Sequence, residues 1–201
     1  MPLRPALAVS GAVLTLAGFI LWFLHIQLEL PLAAALHLDA GNARLPAIVV
    51  VTGLGGAAIM IPAALAAALF LAIRGRAAHA IWLVATIASG RLLVELLKLA
   101  IGRARPDLAG HLVPVSSASF PSSHSAGTML TIVALMLAFR ARPWLAAIAL
   151  AWPLLIGATR VMLGVHWPSD VLAGWGLALL WIALASRWLP KPAPLGPPPT
   201  R

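Results

Sequence analysis

Residues 143–188 read PWLAAIALAWPLLIGATRVMLGVHWPSDVLAGWGLALLWIALASRW. Two apolar runs, 143–161 and 168–188, are joined by a short segment that holds Thr159-Arg160-x5-His166-x3-Asp170 at its edges. Each run approaches the roughly 20 residues that cross a hydrocarbon core about 30 Å thick. An arginine, a histidine and an aspartate at one edge of such a pair are costly beside lipid, so they mark a functional site by default.

The pattern extends over the chain. Further apolar runs cover 6–24, 47–73, 78–101 and 124–139, separated by charged or Pro/Gly-containing turns. Of 201 residues, 62% are hydrophobic and 9% charged, with a mean hydropathy of +0.99. The chain therefore reads as an all-α integral membrane bundle of six transmembrane helices over 1–189, followed by a Pro-rich disordered cytoplasmic tail, 190–201. The first run is longer than the apolar stretch of a secretory signal, and we read it as a retained helix. Segments 25–46 and 102–123 are longer than simple turns need, and long loops in compact proteins tend to be functional.

Charge sets the expected orientation. Arg4, Arg74, Arg76, Arg140, Arg142, Arg187, Lys191 and Arg201 collect on one side, which is cytoplasmic by the positive-inside rule, and the motif residues face outward. That rule also accounts for most of the net charge of +9, so no nucleic-acid partner is expected. With no cysteine, thiolate chemistry and Cys-ligated metals are excluded.

Two more polar clusters end apolar runs: Lys98-x6-Arg105-Pro106 and Pro121-Ser122-Ser123-His124. Ser122 is placed to cap the helix that starts at the fourth run, leaving the amides of Ser123, His124 and Ser125 as free donors for an anion. Pro168 suits the first turn of the last helix, which sets His166 just before it. Asp170, four residues on, is within reach of one imidazole nitrogen and leaves the other free to attack. Histidine serves as a covalent nucleophile, and a second histidine as a proton donor. Lys98, Arg105 and Arg160 supply the positive charge that phosphoryl transfer needs. The clusters lack a carboxylate set for a divalent ion, so neither a metal nor a cofactor is expected.

Together the clusters resemble the three-part signature of the type 2 phosphatidic acid phosphatase (PAP2) superfamily, K-x6-R-P, P-S-G-H and S-R-x5-H-x3-D, at nine of 11 specified positions. The resemblance implies that His166 attacks phosphorus, His124 protonates the leaving group and Asp170 supports His166. It also implies that Lys98, Arg105, Arg160, Ser122 and the Ser123 amide hold the phosphate without metal. Two positions depart: Ser123 stands for a glycine, which raises the question of a positive φ or close backbone approach, and Thr159 stands for a serine and keeps the hydroxyl.

The expected activity is hydrolysis of a lipid phosphate or diphosphate at the outer face of the plasma membrane. Undecaprenyl diphosphate is the first choice of substrate, ahead of phosphatidylglycerol phosphate and phosphatidic acid. The competing reading is a transporter or binder of anionic lipids that uses the same cations without hydrolysis; an oriented nucleophile argues against it. His25, His37 and His79 read as interfacial, and His111 is unassigned. Arg91, Glu95 and Lys98 share one helix face, with Glu95 either neutralising Arg91 or positioning Lys98. Gly53-x-Gly55-Gly56 reads as a close-packing site inside a continuous helix, the tryptophans as interface anchors, and Pro62 and Pro153 as kinks.

Overall fold

Prolines open four of the helices. Pro31, Pro46, Pro143 and Pro168 each occupy a first turn, where the missing N–H has no intrahelical partner to lose. The computed structural model describes residues 3–108 and 110–191, and the expectation of a disordered tail falls, from residue 192, outside the described residues. All regular structure among them is helical: α1 (Leu3–Phe23), a π-helical turn (His25–Glu29), α2 (Leu30–Leu36), α3 (Leu45–Leu54), α4 (Ala57–Ile73), α5 (Ala77–Ile101), α6 (Ser123–Phe139), α7 (Pro143–Met162), α8 (Pro168–Ala185) and a final 3₁₀ turn (Ser186–Trp188).

Five helical stretches are long and apolar enough to cross a membrane: Leu3–Phe23, Leu45–Ile73, Ala77–Ile101, Pro143–Met162 and Pro168–Trp188. The helix from the fourth apolar run, Ser123–Phe139, has 17 residues and falls short of that length. It is also closely enclosed, with Ser125 to Thr131 buried without a break. A helix wrapped by protein has its backbone and side chains shielded from lipid by its neighbours, so its length is not dictated by bilayer thickness.

Two cores hold α6 in place. Ala134 and Ala138 pack with Ala64, Ala68, Leu71, Leu83 and Ile87 of α4 and α5. Met129, Leu130 and Val133 pack against Ala178, Leu179 and Ile182 of α8. Small residues bring α1 onto α8, where a Cβ on Gly11 would lie 2.9 Å from the Gly176 carbonyl oxygen. Basic residues gather at one end of the bundle: Arg4 donates to the Ser186 carbonyl, and Arg76 Nη2 donates to that of Ala138 at 2.6 Å. Lys98, His124, Arg160 and Asp170 lie at the opposite ends of their helices.

The structure corrects two readings. Segment 25–46 is not a long loop: the π-helical turn and α2 occupy 25–36, because the stretch is apolar and Pro31 favours a helix start. The run 47–73 is broken at Gly55-Gly56 into α3 and α4, so the glycines interrupt a helix and do not sit inside one. Their packing role stands, since a Cβ on Gly55 would lie 2.5 Å from Ile156 Cγ2, and Thr128 Oγ1 donates to the Gly55 carbonyl at 3.0 Å. Pro62 and Pro153 lie within unbroken helices, and the only break in the 47–73 run is the glycine pair.

Candidate active site

Asp170 enters the site through local helix physics. Pro168 starts α8, and Asp170 turns back so that Oδ2 accepts the Trp167 backbone N–H at 2.9 Å. Oδ2 also lies 3.4 Å from His166 Nδ1 and accepts from the Ser119 hydroxyl, while Oδ1 accepts from Arg103 Nη1 at 2.7 Å. The carboxylate is fully buried, with three polar neighbours at Oδ2 and Arg103 at Oδ1. With Nδ1 of His166 turned to the carboxylate, Nε2 is the outward nitrogen; it lies 3.3 Å from Arg105 Nη1.

The loop 102–122 wraps over this centre. Gly102, in the left-handed region at φ 62°, ends α5 and lets its N–H return to the Lys98 carbonyl. The Ser119 N–H donates to the Arg103 carbonyl at 2.8 Å, and the Ser122 N–H to the Asp170 carbonyl at 3.0 Å, so the loop ties the first and third motifs together. Lys98, buried at 3% exposure, donates to the Ala118 and Ser119 carbonyls. Arg105 donates to the Ser117 carbonyl at 2.9 Å and to that of Val165, and Arg160 Nη1 donates to Thr52 Oγ1 at 3.0 Å while its Nε has no partner among the described residues.

Ser122 caps α6 as expected, accepting the Ser125 N–H at 3.4 Å and the Ser125 hydroxyl at 2.9 Å. His124 follows in the first turn, within electrostatic reach of Arg160, His166 and Arg105. Ser123 is the first residue of α6 with an ordinary helical backbone, so no positive φ calls for glycine there. Its hydroxyl donates to Glu95 Oε1 at 2.8 Å, which gives Glu95 a partner on α6 in place of Arg91 or Lys98. Thr159 spends its hydroxyl on the Ile156 carbonyl of its own helix at 2.6 Å.

Burial pushes the His166 ring down to about 4; the hydrogen bond and charge of Asp170 pull it back up, and Arg105 and Arg160 push it lower. The ring is thus neutral at neutral pH, with a lone pair available. Among the described residues no group of three His, Cys, Asp or Glu side chains gathers to hold a metal ion.

Two residues central to this arrangement escape a reading by motif. Arg103 lies sandwiched between the rings of Trp22 and Trp167, 4.5 and 5.5 Å from their centroids. Its two ends pair with Asp170 at 2.7 Å and Glu29 at 2.6 Å. Glu29, fully buried in the π-helical turn, also accepts from the N–H and hydroxyl of Ser169. His25 joins the same network, 2.8 Å from Glu29 and edge-on to Trp167, and His111 lies 2.9 Å from the Pro106 carbonyl. The signal was a buried-type carboxylate in an apolar segment, with no spacing rule to link it to an arginine far along the chain.

Residues 79–193 match the family model described as PAP2 superfamily. A lipid A 1-phosphatase of Rhizobium etli is 39% identical over 105 residues, covering 46% of this chain and 43% of that protein. Phosphatidylglycerophosphatase B of Bacillus subtilis is 43% identical over 99 residues, 45% of this chain and 48% of that one. An undecaprenyl-diphosphatase of Sulfolobus acidocaldarius is 32% identical over 77 residues, 38% of this chain and 36% of that one. The chain spans less than half the length of these curated relatives. Among solved structures, a transmembrane PAP2 type phosphatidylglycerolphosphate phosphatase from Bacillus subtilis superposes with a TM-score of 0.72 at 27% identity, covering 93% of this chain and 96% of that one. LpxE of Aquifex aeolicus shares the fold, with a TM-score of 0.67 at 24% identity over 80% of this chain and 95% of that one.

Two expectations follow from the geometry. Below the His166 value of about 4 the ring is protonated and has no lone pair to offer. The acid limb of kcat/KM, corrected for ionisation of the substrate, is therefore expected near pH 4, and a limb near the ordinary histidine value of about 6.5 would contradict the burial argument. Arg103→Ala leaves two buried carboxylates facing each other without a cation. It is expected to cost about 3–5 kcal/mol of stability and to lower kcat by about a hundredfold as Asp170 and His166 lose register. Thermal unfolding and turnover in detergent measure both, and a variant with unchanged kcat would remove Arg103 from the positioning set.

Proposed function

The chain belongs to the PAP2 superfamily, and from that membership we propose that it is a membrane lipid phosphatase that works through a phosphohistidine on His166. The observation that carries this reading is the buried His166–Asp170 pair, whose outward Nε2 faces Arg105 with Arg160 and His124 nearby. A binding protein has no use for a desolvated, oriented and neutral imidazole. The relatives named above are phosphatases, which leaves the non-hydrolytic transporter without support.

In this mechanism the phosphate takes over the donors that now rest on loop carbonyls. Arg105 and Arg160 bring forks that match phosphate oxygens, Lys98 adds a point charge, and the first-turn amides of α6 behind Ser122 add aligned donors. Nε2 of His166 attacks phosphorus, the bond to the leaving oxygen breaks, and His124 gives that oxygen a proton. Asp170 stabilises the positive charge that grows on the His166 ring. Water, deprotonated by His124, then splits the phosphorus–nitrogen bond and frees phosphate. The cationic groups supply the electrostatic stabilisation that a metal supplies in other phosphoryl-transfer sites.

For topology we infer six crossings, with α3 and α4 forming one and the short α6 another. The basic cluster at Arg4, Arg76 and Arg140 supports a cytoplasmic assignment for that end, and therefore an active site opening on the outer face of the plasma membrane. Undecaprenyl diphosphate is the favoured substrate. Phosphatidylglycerol phosphate and phosphatidic acid follow, and the Rhizobium relative adds lipid A to the panel worth testing.

His166→Ala is expected to abolish phosphate release, by at least about 10⁴-fold, while the protein still inserts and unfolds cooperatively; appreciable residual turnover would reassign the nucleophile. Wild-type turnover is expected to survive EDTA without loss. Restoration of a chelated, inactive sample by a divalent ion would refute the metal-free mechanism.

A further inference from the structure

Besides Arg103, which pairs with Asp170 and Glu29, one further cation outside the three motifs lies near the site. Arg91 precedes Lys98 by seven residues on α5, so it shares that helix face and lies about 10 Å further from the motif end of the bundle. Its guanidinium rests on Gly127 of α6, where a Cβ would lie 2.5 Å from Nη2 and 2.7 Å from Cζ and would displace it. Gly127 is three residues, one helical turn, beyond His124. Arg91 therefore sits beneath His124, close enough for its charge to act on that ring.

Among the described residues Glu95 acts on this guanidinium through its charge alone, without a hydrogen bond. Nε and Nη2 are buried and have no hydrogen-bond partner among the described residues. Glu95, one turn away on α5, is engaged by Ser123, and no ion pair joins it to Arg91 among the described residues. Leaving buried donors of a charged group unpaired is destabilising, and native structures keep such groups where a ligand or a mechanism needs them.

The inference rests on the phosphatase reading above. There, His166 attacks phosphorus from one side and His124 protonates the oxygen that leaves on the other. Whatever is attached to that oxygen lies on the His124 side, the side on which Arg91 rests against Gly127. We propose that Arg91 binds a second phosphate on the leaving group, so that the site favours lipid diphosphates over lipid phosphomonoesters.

The chemistry balances as follows for a diphosphate. Nε2 of His166 bonds to the terminal phosphorus, the bond from that phosphorus to the bridging oxygen breaks, and its electron pair leaves on a lipid monophosphate. Water later splits the phosphorus–nitrogen bond and releases inorganic phosphate. A lipid monophosphate is a weak base, with a second ionisation near about 6. It departs with little help from a proton, but it departs with growing negative charge, which an arginine fork stabilises. The alkoxide that leaves from a phosphomonoester is a far stronger base and depends on the His124 proton.

The test compares kcat/KM for undecaprenyl diphosphate and phosphatidic acid, using the full chain purified in detergent. Arg91→Gln is expected to lower the diphosphate-to-monoester ratio by about tenfold or more, Arg91→Lys to restore part of it, and His124→Ala to raise it. A structural defect alone would lower both rates together. An unchanged ratio in Arg91→Gln, or a wild-type preference for phosphatidic acid, overturns this inference and leaves the phosphatase reading intact. Release of phosphate by the wild-type protein from neither of these lipids, nor from phosphatidylglycerol phosphate or lipid A, would overturn the phosphatase reading, and this inference with it.

Discussion

The buried pairing of one arginine with two carboxylates governs the motif end of this bundle. Arg103 holds Asp170 with one nitrogen and Glu29 with another, between the faces of two indoles. Three charges in a protein interior are tolerable only when each is paired and hydrogen-bonded, since desolvation of a lone ion costs several kcal/mol. Here each carboxylate has further donors from Ser119, Trp167 and Ser169. The network joins the turn after α1, the loop after α5 and the start of α8. It thereby makes the site a joint product of elements that are distant in the chain.

That constraint explains why the proposed nucleophile is well oriented. Asp170 cannot rotate without breaking its bond to Arg103, so the geometry toward His166 is set by partners that never touch the phosphate. Such outer partners hold reactive groups to the tolerances that catalysis needs. The phosphate-facing cations are held differently. Lys98 and Arg105 rest on loop carbonyls, weak acceptors that an anion can replace.

The segment around His124 has the opposite design, built on smallness. Ser125, Ala126, Gly127 and Thr128 let α5, α7 and α8 approach α6 closely, and the Gly55-Gly56 break brings α3 and α4 against the same helix. Ser123 fits this setting without strain because its backbone is helical. The glycine expected from the family pattern is therefore not demanded by backbone conformation, and the serine hydroxyl adds a bond to Glu95.

The sequence by itself determined the class of the fold and the identity of the polar clusters. Hydrophobic runs of bilayer length report burial in lipid directly, and the rarity of ionisable groups there makes Lys98, Arg105, His124, Arg160, His166 and Asp170 stand out. Local rules also sufficed for the Ser122 cap and the Pro168 start, because a helix terminus is settled by residues within one turn. The break at Gly55-Gly56 and the helix within 25–36 were not legible, since glycine and proline in an apolar run are compatible with either continuity or interruption until neighbours pack. Tertiary structure alone decided that Glu29 meets Arg103, that Ser123 hydrogen-bonds Glu95, and that Arg91 lies beneath His124 with Nε and Nη2 unbonded among the described residues. Those pairings depend on which helix faces come together in space, and no periodicity within one helix encodes the residue that a distant helix will place against it.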